Sequence, residues 1–425
     1  MSDKIEYDKM LEKHPEFEGV IHRQSWDYIG ISDKGTVDYL QQSWIDNVRA
    51  NISLWEKCGD LTEFSGFGKN KAIICIGAGP SLAKNQQDLH RLFISDCLNS
   101  WRDRNFLLIA SNHQYKPLLK QGIIPDFVIL ADGSDVVMDH LINDVPSSGQ
   151  HSILLAGLHC SHDVLSKWAD QGKAIKFYLT HSDGVWEAFE EETNRKAAPL
   201  IILQGGNVLN SAWSIGLKFF GSTVFMAVGN DLSYEIKKDL DEQRTHYYAD
   251  KDYSANLANR RDDAHGKKQW LGFTIKDRMI IPGISNGSDR KTYDFELNPV
   301  GTSPALWVYK TWIEANVLAN ANKGFSYHYY NCTEGGIAGV MCKDMTDDAL
   351  NDEQNWFMMD DVCKRWHTMK LKDAAEEFLD AKENMVWGNK RLENAISALG
   401  VNRLGQGQEE YVKDALRKRN GLGLT

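Results

Sequence analysis

Three kinds of residue in this chain can do chemistry: a glycine turn, polar residues placed at the ends of apolar runs, and histidines in a charged stretch. The turn is Gly77-Ala78-Gly79-Pro80-Ser81. Glycine lacks the Cβ that keeps a ligand off the backbone. Pro80 suits the first turn of a helix, where its missing N–H costs nothing. Ser81 can offer a hydroxyl beside free N–H groups at the positive end of a helix dipole. No Gly-Lys-Ser/Thr follows, and Leu82 stands where GxGxxG needs a third glycine, so neither standard phosphate fingerprint is present. The segment reads either as a ligand-binding loop or as an ordinary tight turn.

A second glycine element, Gln204-Gly205-Gly206-Asn207, opens another helical stretch. Asp132 and Asp231 each follow an apolar run, where they can bind ribose hydroxyls, a sugar or Mg²⁺, or simply cap the next helix. Asn112 can meet a base or sugar, or make an Asx-turn. Glu334, in Thr333-Glu334-Gly335-Gly336, is a base or a loop charge. Tyr234 is a ligand contact or an aromatic at the core's edge. Residues 239–268 are highly charged and carry His246, Tyr247 and His265. Such a stretch is a solvated loop, or a lid whose histidines titrate where a general base must.

The elements that must position these groups alternate. Apolar, β-branched runs predict strands at Ala72–Ile76, Phe106–Ala110, Pro125–Asp132, Ser152–Leu158, Ala174–Leu179 and Thr223–Val228. Helix-compatible segments separate them. This is the pattern of an α/β domain with a Rossmann-like, doubly wound and mostly parallel sheet. Polar residues gather just past the strands' carboxyl ends, the edge where open α/β sheets bind ligands. From Thr36 to Leu54, apolar residues recur every three or four positions, so residues 1–65 read as an N-terminal helical extension. Residues 343–425 turn polar with helical spacing and read as a C-terminal helical region that packs on the core or joins copies in a homo-oligomer. Between the two extensions, residues 70–340 form the expected catalytic domain.

Composition narrows the classes. The chain has 425 residues, 42% of them hydrophobic, and a net charge of −11 from 48 basic and 59 acidic residues. Nucleic-acid and membrane-surface binders need a basic face, which this balance disfavours. Seven scattered cysteines without a CxxC pair suggest reduced thiols, with neither disulfides nor a zinc site. The charged opening residues do not form a signal peptide, and no apolar run approaches membrane-helix length. A cytoplasmic protein is expected.

The order of the elements carries a resemblance. GAGPSL, a strand leading to Asn112, PDFVILAD, GGNV with a small-residue helix, and FMAVGNDLSY resemble the MptE-like family. That family includes motility accessory factors, which glycosylate flagellin, and the archaeal 6-hydroxymethylpterin diphosphokinase. The same series is similar to bacterial sialyltransferases that use a CMP-sugar. The stretch Asn331-Cys332-Thr333-Glu334-Gly335-Gly336, with Trp312 and Glu314 upstream, resembles the TEGG segment of the motility accessory factors. The resemblance implies a glycosyltransferase that passes a CMP-activated nonulosonic acid to a hydroxyl acceptor, protein or small molecule. It also implies that His246 or His265 takes the acceptor proton while tyrosines such as Tyr234 or Tyr247 hold the departing phosphate. Two alternatives stay open: a pyrophosphoryl transferase using ATP and Mg²⁺ at Asp132 or Asp231, and a nucleotide-binding protein without catalysis. No cofactor is fixed by these readings, Mg²⁺ being the one candidate.

Overall fold

Ala72–Ile76 (β1) is a strand buried along its whole length, and the sheet grows outward from it on both sides. A computed structural model describes residues 23–97, 99, 103–180, 182–235, 290–302, 304–321, 327–342 and 355–383. In chain order the first half comprises α1 (Arg23–Cys58), β1, α2 (Leu82–Cys97), β2 (Phe106–Ser111), α3 (Asn112–Lys120), β3 (Phe127–Leu130), α4 (Met138–Leu141), β4 (Ile153–Gly157), α5 (His162–Asp170), β5 (Ile175–Tyr178) and α6 (Asp183–Thr193). After it come α7 (Val208–Ile215), β6 (Val224–Val228), β7 (Tyr234–Glu235), β8 (Arg290–Tyr293), β9 (Pro299–Thr302) and α8 (Pro304–Ala321). The last strands are β10 (His328–Asn331), β11 (Val340–Cys342), β12 (Trp356–Met358) and β13 (Trp366–Thr368).

Eight strands form one sheet in the order β13-β10-β6-β1-β2-β3-β4-β5. Every neighbouring pair in it is parallel. The order reverses at β1: β2 to β5 leave on one side, and β6, β10 and β13 on the other. Right-handed crossovers then send the connecting helices to opposite faces, which makes the sheet doubly wound and Rossmann-like. The aliphatic strands β1 and β2 are buried throughout, as a sheet covered on both faces requires. The six strands predicted from apolar runs are all present, to within two residues at each end. Two small antiparallel sheets, β11-β12 and β7-β9-β8, lie outside the large one.

The N-terminal helix α1 packs on α6 and α8 and reaches the sheet itself. Its Asn47 side chain donates to the carbonyls of Gly133 (3.3 Å) and His159 (3.0 Å). Fully buried Asn51 donates to Leu158 (2.9 Å) and Cys160 (2.8 Å). Those carbonyls lie just past β3 and β4, where parallel strands run out of ladder partners. Two helix asparagines thus satisfy buried acceptors that would otherwise each cost about 1–3 kcal/mol. Trp44 adds an edge-on contact to the His159 ring, with centroids 5.1 Å apart.

The chain divides into two compact units, residues 1–374 and 375–425. Everything above lies in the first; of the second, residues 375–383 are helical. No helix among the described residues is long and apolar enough to cross a membrane.

Candidate functional site at the switch point

The reversal of strand order puts the ends of β1, β6 and β10 side by side, and three of the sequence motifs converge there. From β1 comes the Gly77–Ser81 turn, from β6 Gly229-Asn230-Asp231, and from β10 the loop Cys332–Gly339. The first two meet through backbone bonds from Gly77 N to Val228 O and from Gly79 N to Gly229 O, both 2.8 Å. A Cβ on Gly79 would stand 2.7 Å from both Asp231 Cγ and Gly229 O. The glycine is therefore required by the chain's own backbone and by Asp231.

Asp231 is the anchor of this junction. Its Oδ2 accepts from the Ser81 hydroxyl (2.7 Å) and its Oδ1 from the Ser81 N–H (3.3 Å). Only 6% exposed, its carboxyl is pushed up to about 6 by burial, against the opposing pull of the Ser81 hydrogen bonds and the Lys84 charge. The first-turn amides of α2 are also engaged: Leu82 N–H bonds Gly79 O and Ala83 N–H bonds Pro80 O. The seat expected for a phosphate at Ser81 is thus filled from within. The Ala78 N–H makes no protein hydrogen bond among the described residues.

The β10 loop closes over this arrangement. Ile337 N donates to Asp231 O (2.8 Å), and a Cβ on Gly335 would stand 3.2 Å from Ser81 Cβ. Glu334 has a left-handed backbone (φ 54°), a conformation rare for a residue other than glycine and frequent at functional sites. Two neighbours on α2 hold it. Lys84 Nζ donates to Glu334 O (2.6 Å), while buried Asn85 donates through Nδ2 to Glu334 Oε1 and to Cys332 O, both 2.9 Å. At the loop's far end Gly339 N donates to Glu314 Oε1 (2.7 Å). The other Glu314 oxygen pairs with Lys310 at 2.7 Å, and both side chains are at most 5% exposed. Burial raises the Glu314 carboxyl, and Lys310 pulls it back.

The other predicted residues sit apart from this junction or in plain structural roles. Asp132 Oδ1 accepts from Ser134 N (2.9 Å) and Oγ (2.8 Å), an Asx-turn. Asn207 caps α7 through its bond from Asn210 N (2.8 Å). Gly205 packs against Trp312, while Gly206 packs against Tyr309, so α8 presses directly on that turn. Asn112 is buried at the end of β2. Tyr234 opens β7 opposite Gly301. His246, Tyr247 and His265 lie outside the described residues. His159 is fully buried and its imidazole is pushed down to about 4, chiefly by that burial, which keeps it neutral beside Ala131 O.

Sequence reasoning missed Lys84, Asn85 and Lys310. A signal existed for the first. A lysine in the first turn of a helix faces the positive end of the dipole and needs a compensating partner. Among the described residues no three His, Cys, Asp or Glu side chains group as a metal site. The carboxylate of Asp231 is committed to Ser81, so these residues alone do not fit a resident Mg²⁺. All seven cysteines are free. A recess of about 450 Å³, lined by Trp55, Glu56, Asp60, Glu63 and Arg195, is formed by other residues altogether.

Fold and junction together define a doubly wound α/β protein whose strand order reverses at the β1/β6/β10 switch point. Residues 42–237 match the model of the 6-hydroxymethylpterin diphosphokinase MptE-like family. A solved structure, that of MAf glycosyltransferase from Magnetospirillum magneticum AMB-1, is similar at 11% identity with a TM-score of 0.43. That match covers 74% of this chain and 37% of the other, so the chain spans little more than a third of it. No curated protein matches the chain.

Proposed function

We propose that the chain is a nucleotide-dependent transferase that binds its donor at the β1/β6/β10 switch point. The observation that carries this reading is the convergence there of the Gly77–Ser81 turn, Asp231 and the Thr333–Gly336 loop, three motifs far apart in sequence. Ligands of open α/β sheets bind at such reversals. The first-ranked chemistry is glycosyl transfer of the motility accessory factor type, from a CMP-activated nonulosonic acid to a hydroxyl acceptor. The acceptor oxygen bonds to the anomeric carbon, the bond from that carbon to the CMP phosphate oxygen breaks, and the phosphate keeps the electron pair. The acceptor proton goes to a base: His246 or His265, with Glu334 next in line. The TEGG-type loop at the junction supports this ranking.

A second reading is favoured by the description of the family model itself. It is pyrophosphoryl transfer from ATP to a hydroxyl, in which Mg²⁺ would enter with the nucleotide. Calorimetry with CMP and ATP separates the two. CMP binding that ATP does not match is the expected result. Tight ATP binding with no response to CMP reverses the ranking, and no response to either removes the nucleotide reading.

A further inference from the structure

We infer that the ligand's phosphate is taken by Lys84, with the Ala78 N–H, and not by the Ser81 end of the glycine turn. The inference rests on the proposed nucleotide reading and assigns the phosphate within that site. It starts from the donors at the head of α2. A free helix N-terminus offers an anion several unbonded N–H groups. Here Gly77 and Gly79 donate to the carbonyls of Val228 and Gly229, and Leu82 and Ala83 donate back to Gly79 and Pro80. Pro80 has no N–H, and both donors of Ser81 point at Asp231. A phosphate arriving at Ser81 would have to evict a buried carboxyl group from its only two side-chain bonds among the described residues.

Two donors remain beside that filled seat. The Ala78 N–H is unbonded within the described protein, and Ala78 is half-buried at the mouth of the turn. Lys84 is exposed in the first turn of α2, and its ammonium rests on the carbonyl of Glu334 at 2.6 Å. That partner is neutral, and among the described residues no carboxylate lies within ion-pair distance of Lys84. An ammonium has three donor hydrogens, so two stay available for an anion. Its charge is felt inside the junction, since it helps pull the Asp231 carboxyl down. In a chain of net charge −11, with Asp231 and Glu334 both at this junction, a phosphate anion needs such a cation. Lys84 also sits against the dipole of α2, a position an incoming anion would relieve.

The test compares a nucleotide with its nucleoside, so that only the phosphate's share is read. Binding of CMP, cytidine, ATP and adenosine is measured by calorimetry for the wild type, Lys84→Gln, Lys84→Arg and Ser81→Ala. Expected in Lys84→Gln is a loss of about tenfold or more in nucleotide affinity, the usual size of one charge-assisted contact. Nucleoside affinity should stay unchanged, which also shows that the variant is folded. Lys84→Arg should restore most of the loss, and Ser81→Ala should leave the nucleotide-to-nucleoside ratio intact. An unchanged ratio in Lys84→Gln, or a ratio that collapses in Ser81→Ala instead, overturns this assignment while leaving the nucleotide reading standing. Absence of binding by the wild type to all four compounds overturns the nucleotide reading, and this inference falls with it.

Discussion

Replacing Asp231 with asparagine tests whether burial really sets the energetics of the switch point. In the folded protein the Asp231 carboxyl is pushed from 3.8 up to about 6, chiefly by burial. A raised pKa means that the folded state binds the proton more tightly than the unfolded state does. The stabilisation from that proton is complete below about pH 3.8 and disappears as pH rises through about 6. Two pKa units correspond to roughly 3 kcal/mol, so a stability curve of the wild type should fall by up to that amount across the window. Asparagine imitates the neutral acid. Its oxygen can accept the Ser81 N–H while the Ser81 hydroxyl turns to accept from the new amide, so the junction stays bonded. The variant should therefore match the wild type near pH 4 and exceed it by roughly 2–3 kcal/mol at pH 7.5. Urea unfolding followed by tryptophan fluorescence at half-unit pH steps gives both curves. Asp126, also pushed up to about 6 by burial, and His159, pushed down to about 4, titrate in the same range with opposite signs. Both are common to the two proteins and drop out of the difference. Parallel curves from pH 4 to pH 7.5 would refute the account of Asp231 as a buried, titrating anchor.

Two further substitutions probe the same junction. Gly79→Val should lower stability by about 3 kcal/mol or more, because its Cβ displaces Asp231 from Ser81 and presses on Gly229 O. A urea midpoint equal to that of the wild type would show that the turn has slack the geometry does not reveal. Lys310→Met should cost about 3–5 kcal/mol by leaving the Glu314 carboxylate buried without its cation. Adding Glu314→Gln to that variant should recover part of the loss while keeping a partner for Gly339 N; a double variant weaker than the single one contradicts the reasoning.

Much of the sheet was legible because its central strands are aliphatic. Ala72–Ile76 is buried on both faces, so its apolar run has no polar interruption to blur its ends. β10 and β13 carry His328, Tyr329, Tyr330, Trp366 and His367, a set without the aliphatic run that marks a buried strand, and they escaped notice. The helical character of α1 was legible from Val48, Ile52 and Trp55, yet its role was not. Asn47 and Asn51 look like solvent-side residues in a helical pattern until Leu158, His159 and Cys160 are placed beneath them. The site shows the same division. Spacing identified Gly77–Ser81, Asp231 and Glu334 as residues of interest. It could not show that Asp231 fills the donors of Ser81, because that bond spans 150 residues and depends on the strand order.

That strand order has a consequence for how the chain must come together. β1 needs two partners, β2 directly after it and β6, which begins at Val224. During synthesis this wholly apolar strand therefore waits with one edge open while the residues between Ser111 and Val224, about 110 of them, emerge, a few seconds to tens of seconds at ordinary translation speeds. Such an edge can pair with another chain. Docking of Asn47 and Asn51 likewise has to await residues 133–160. The glycine turn gains its shape only when Gly229 and Asp231 arrive to hold it, so the candidate site is among the last parts of this unit to form. Non-local closure of this kind slows folding.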